Sequence, residues 1–143
     1  MPVHRLAQIN YAIRTAAFAW CFLVVGLVLG ERQAGAGPWS AAVLLFLAYP
    51  HLASLRASRS ADSRRAELQT LYLDAVLLGA MLAALGFPTW VLFAALFSTA
   101  LNNIVVRGPA GGAVSIVCFA GGALLWILPM GLMVYPHTSA LVT

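Results

Sequence analysis

Five apolar runs, at about residues 12–29, 39–55, 68–85, 90–106 and 113–134, take up most of this chain, and the breaks between them are short. A helix needs roughly 20 apolar residues to cross a hydrocarbon core about 30 Å thick, and each run approaches that length. Charged residues are 8% of the 143, against about 25% in ordinary soluble domains. The reading is all-α: a polytopic membrane helix bundle of five transmembrane helices, forming one integral-membrane domain over residues 1–143. After the break Tyr135-Pro136-His137-Thr138 the chain turns apolar again from Ser139, which reads as the start of a truncated sixth helix at about residue 139. The chain is therefore expected to be a fragment of a longer protein. It leaves no room for a separate soluble catalytic domain, and no enzyme is expected in it.

The basic residues are eight arginines and no lysine, for a net charge of +4. With the N-terminus in the cytoplasm, Arg5, Arg14, Arg56, Arg59, Arg64, Arg65 and Arg107 all fall inside, and Arg32 alone falls outside. That split follows the positive-inside rule and predicts a multi-pass membrane protein with its N-terminus in the cytoplasm. Because the arginines flank apolar segments, they report orientation, and nucleic acid is not an expected partner. Arg14, near the inner end of the first run, is expected to snorkel toward the interface. Residues 1–14 lack the pattern of a cleaved signal peptide, so the first run is a retained helix. Cys21 and Cys118 lie inside apolar runs, far apart in sequence, and read as small buried hydrophobes.

The punctuation is specific. Gly30 to Pro38 is a loop by its glycine and proline content, and Trp39 after it sits where an interfacial anchor would. Asp62 is placed to cap the helix that follows. Gly86-Phe87-Pro88-Thr89 and Arg107 to Gly112 read as short turns, and Pro129 predicts a kink in the fifth run. Gly79, Ala80, Ala83, Ala84 and Gly121-Gly122 let helices approach closely, in internal packing more than in dimerisation.

Ionisable residues inside a span are functional candidates, since burying charge in hydrocarbon is costly. Asp74 lies about six residues into the third run, roughly 9 Å deep at the helical rise. His51, Asn102 and Asn103 come out at a similar depth from the inner ends of the second and fourth runs. These four residues are the candidate cluster for ligand binding or signal coupling. The plainer alternative is interhelical glue, and metal or proton chemistry is a third. Glu67 and Thr70 share a face with Asp74, with Arg64 or Arg107 as candidate partners for Glu67. Ser98 and Thr99 are expected to bond their own helix backbone. His51 and His137 fall near opposite faces of the membrane and cannot share a haem iron. No zinc spacing occurs, and no phosphate loop or nucleophile elbow. No cofactor, metal site or catalytic residue is predicted.

Tyr49-Pro50-His51-Leu52-Ala53, followed by Ala57-Ser58-Arg59, Asp62, Glu67, Leu71 and Asp74-Ala75, resembles the second family of bacterial membrane-associated sensor domains, the MASE type. The likeness continues through Gly79, the Gly86-Phe87-Pro88 turn and Asn102-Asn103, and spans roughly residues 38–112. The family often has Trp for Tyr49, Pro for Ser63 and Asn for Thr70, and Arg107 and Pro109 here intervene before Gly111-Gly112. The resemblance implies an N-terminal sensory and anchoring module, joined to a cytoplasmic adenylate or diguanylate cyclase that works as a dimer. Under it the expected partners are the lipid bilayer, a second copy of the chain, the linked cyclase, and a lipid or apolar small-molecule ligand. His51, Asp74 and Asn102 or Asn103 would couple the helices, with Arg59, Asp62 and Glu67 forming a cytoplasmic coupling loop. Two readings compete with it: a small self-standing transporter or channel subunit that uses Asp74 for protons, and a passive membrane anchor.

Overall fold

The computed structural model describes residues 5–135, which form helices and short connections. In order these are α1 (Arg5–Glu31), α2 (Ala36–Val43), a π-helical segment (Leu44–Ala48), α3 (Tyr49–Arg59), α4 (Ser63–Ala84) and α5 (Thr89–Met130). The chain divides within α4 into two compact units, one through Thr70 and one from Leu71. Among the described residues four helices are long and apolar enough to cross a membrane: Tyr11–Glu31, Ala36–Arg59, Arg65–Ala84 and Thr89–Met130.

In the first unit α1 buries Arg14, Phe18, Val25, Val28 and Leu29, a spacing that keeps them on one face. Its opposite side, including Trp20 and Leu23, is exposed, as a lipid-facing surface should be. Phe18 is the hinge of the packing, with its ring 5.8 Å from Phe46 and 5.7 Å from Tyr49. Trp39 packs edge-on against Phe22 at 6.5 Å. The second span changes register in its middle for a local reason. Pro50 has no N–H, and in a regular α-helix its ring would meet the carbonyl four residues back, that of Phe46. The wider π turn over Leu44–Ala48 relieves that collision, and both Phe46 and Pro50 are buried.

Asp62 caps α4 as its sequence position predicts, the N–H of Arg65 donating to Oδ1 at 2.9 Å. Within the second unit α4 and α5 touch backbone to backbone. A Cβ on Gly79 would stand 2.0 Å from the carbonyl oxygen of Phe119, and one on Gly122 would stand 1.9 Å from that of Val76. These glycines thus serve internal packing. Gly86 and Phe87, at φ 71° and 54°, make the expected turn, and the N–H of Tyr135 donates to the Gly86 carbonyl at 2.7 Å.

Where the sequence predicts five spans, the fourth and fifth fall within α5, a run of 42 residues. Its break is a single residue, Gly108, at φ 76° and ψ −175°. The turn predicted over Arg107 to Gly112 is therefore narrower than expected, because Pro109, with no N–H to leave bare, starts the following helical segment at once. The kink is predicted at Pro129, which lies in the last turn, and α5 stops at Met130, with Gly131 at φ 82°, short of the predicted Val134. The predicted sixth helix from Ser139, and His137, lie outside the described residues.

Candidate functional site

The first unit gathers its polar groups on one face of α1. Arg14 and Glu67 form an ion pair, although Arg14 is only 5% exposed and Glu67 only 1%. The snorkelling expected of Arg14 does not occur, because a buried carboxylate on α4 meets its guanidinium inside the unit. Glu67 is partnered by this residue; of the partners the sequence offered, the side chain of Arg64 lies outside those described and Arg107 belongs to the second unit. The pair takes up one carboxylate oxygen; Oε2 is buried with no hydrogen-bond partner. One turn before Arg14, the Tyr11 hydroxyl and Nδ1 of His51 share a hydrogen bond of 2.9 Å, with the rings 5.9 Å apart.

The motif around Pro50 now has a physical division of labour. Tyr49 packs on Phe18, Pro50 enforces the π turn, His51 reaches Tyr11, Leu52 faces outward and Ala53 is buried. Helix α1 is thereby tied at neighbouring turns to α3 through a histidine and to α4 through a carboxylate. Such a face can respond to a shift of α1, since breaking either contact leaves a polar group with a changed partner. Arg59 and Asp62 lie apart from Glu67, on an exposed cleft shared with Arg56, Arg65 and Gln69.

Asp74, Asn102 and Asn103 belong to the second unit. Asp74 is 8% exposed and Asn103 1%, while Asn102 is half-buried. Asn103 turns its amide to its own helix, Nδ2 donating to the Thr99 carbonyl at 3.0 Å, and its Oδ1 is buried with no hydrogen-bond partner. Ser98 likewise donates to its own helix, to the carbonyl of Ala95 at 3.2 Å. Arg107 is held by Tyr72: Nη1 donates to the phenol oxygen at 3.1 Å and the guanidinium carbon stands 4.5 Å from the ring centre.

Sequence reasoning missed Tyr11 and Arg14 as site residues. The signal was present, since an arginine bordered by apolar residues needs an anion, and Glu67 is an acid at the mouth of another span. What was missing was the pairing across 53 positions of sequence.

Four long apolar helices and a buried ion pair among the described residues are the marks of a multi-pass membrane protein. Compared with known families, residues 10–97 match the MASE2 domain, more than half of the chain, and the chain belongs to that family. A MASE2 domain is a membrane-associated sensor domain, not a catalytic one, found in cyclase-linked proteins. The match takes in Tyr11, Arg14, His51, Arg59, Asp62, Glu67 and Asp74; Asn102 and Asn103 lie beyond it. No curated protein and no solved structure matches the chain.

Proposed function

We propose that this chain is the sensory and anchoring module of a dimeric protein, and that it regulates a C-terminal cytoplasmic nucleotide cyclase in response to a membrane-borne or small-molecule signal. The observation that carries this reading, beside the family, is the buried Arg14–Glu67 pair with its open carboxylate oxygen. A buried pair has little net stability to spare, because desolvation offsets much of the attraction. Separating the partners in place would nevertheless leave uncompensated buried charge, so helix arrangements that keep the contact and ones that lose it differ sharply in energy. A ligand moves that balance only by binding the two arrangements unequally. Arg59 and Asp62 stand apart from the pair on the exposed cleft, and helix α4, which carries Glu67 and is capped by Asp62, is the element proposed to pass a change at the pair to that coupling loop. His51, Asp74, Asn102 and Asn103 are proposed as the polar residues through which the signal is read.

The proposed setting is the bacterial inner membrane with the N-terminus in the cytoplasm. A 42-residue α5 would be about 63 Å long if straight, twice the hydrocarbon thickness. Its break at Gly108 supports two crossings, hence five spans, and the seven-to-one arginine split follows from that count.

The test joins residues 1–143 in frame, through one added spanning helix that returns the chain to the cytoplasm, to a cyclase catalytic domain in a host lacking its own cyclase. Glu67→Gln and His51→Ala are each expected to change cyclic nucleotide output severalfold while membrane insertion is unchanged. Unchanged output from both would reduce the module to an anchor.

A further inference from the structure

Arg56 and Arg59 close α3 and Arg65 stands in the first turn of α4. All three line one cleft of about 330 Å³, with Ser60, Asp62 and Gln69 among its other walls. Its one acid is already engaged, since Asp62 Oδ1 accepts the N–H of Arg65. Among the described residues no ion pair neutralises these arginines, and their side chains have one polar partner, the Gln69 Oε1 that accepts from Arg56 Nη2 at 3.2 Å. The cleft thus holds a surplus of two positive charges. Arg107 shows the contrast: its guanidinium lies against Tyr72, whereas among the described residues the guanidinium groups of Arg59 and Arg65 have no ion-pair or aromatic partner.

Orientation alone requires that arginines be present at this end of the spans, and it does not require them to share a cleft. The second span ends at Arg59 and the third begins at Arg65, so the cleft opens where two helices leave the hydrocarbon, at the level of lipid headgroups. Guanidinium groups match phosphate oxygens in a bidentate fork. The volume lies at the small end of the roughly 300–1,000 Å³ of ligand pockets, which suits a headgroup better than a large organic anion. We propose that this cleft binds a phosphate group, presented by the headgroup of an anionic membrane lipid.

The test is native mass spectrometry of the purified chain in detergent, offered phosphatidylcholine, phosphatidylglycerol or phosphatidic acid, and read without any cyclase. One anionic lipid is expected to be retained in preference to the neutral one. Arg59→Gln should weaken that retention roughly fivefold, and Arg59→Gln with Arg65→Gln roughly twentyfold, while Arg107→Gln leaves it unchanged. If the double variant does not fold, Arg59→Lys replaces it; it keeps the charge, lacks the fork, and should weaken binding by an intermediate amount. Displacement of the lipid by micromolar inorganic phosphate would overturn the lipid as source and assign the cleft to a soluble phosphate compound. Retention that survives the cleft substitutions, or falls equally in Arg107→Gln, would overturn the site.

Discussion

Glu67 and Arg14 show how differently one residue and a pair of residues behave. Neutralising the acid alone in Glu67→Gln leaves the Arg14 charge buried opposite an amide, a change that costs about 3–5 kcal/mol in comparable buried pairs. Replacing both by methionine removes two desolvation penalties together and should bring stability back to within about 1–2 kcal/mol of the parent. Thermal unfolding of the two variants in one detergent measures both, and a double variant no more stable than the single one would contradict this account. The individual polar residues were legible in the sequence, because a histidine, an aspartate or a glutamate amid leucines and alanines stands out. Their partners were not. Arg14 looked like a side chain able to reach water, and only the folding of α4 against α1 decides that it reaches Glu67.

Helices were legible as elements, down to the Asp62 cap and the Gly86-Phe87 turn, because both rest on chemistry local in sequence. The contact of α4 with α5 was visible only as a supply of small residues. Gly79 and Gly122 meet carbonyl groups at 2.0 and 1.9 Å from an added Cβ, while Gly121 meets nothing within 4 Å. An added methyl against backbone cannot be accommodated by a rotamer change, so Gly79→Ala and Gly122→Ala should each lower stability by about 3 kcal/mol or more. Gly121→Ala should be neutral or stabilising by up to about 1 kcal/mol. Chemical unfolding of the three variants checks the order. Equal effects would mean that the glycines matter for helix propensity and not for contact.

For the whole molecule the open quantity is the number of crossings, and Gly108 decides it. Its backbone lies in a region close to glycine's own, and nothing stands within 4 Å of it, so Gly108→Ala carries a purely conformational cost of about 1–3 kcal/mol. A cysteine scan gives the topology. Single cysteines at Gln33 and Phe87 should label from outside the cell and ones at Ser60 and Arg107 only from inside, in a chain whose Cys21 and Cys118 are replaced by alanine. Labelling of position 107 from outside would reject the five-span arrangement. The sequence divides the run at Arg107 to Gly112, where Arg107, next to Gly108, is the one cation in the long stretch from Thr89 to Met130.

The π turn over Leu44–Ala48 has a consequence for aim. Such a turn holds about one residue more than an α turn, and each residue corresponds to about 100° of rotation about the axis. Everything beyond Ala48 therefore points roughly that angle away from where an unbroken helix starting at Ala36 would send it. Deleting one residue from the turn would leave length and apolarity almost untouched, yet swing His51 off Tyr11 and Arg56 and Arg59 off their cleft together. In this span the bearing of the polar groups is set by a turn of five apolar residues and by the Pro50 that follows it.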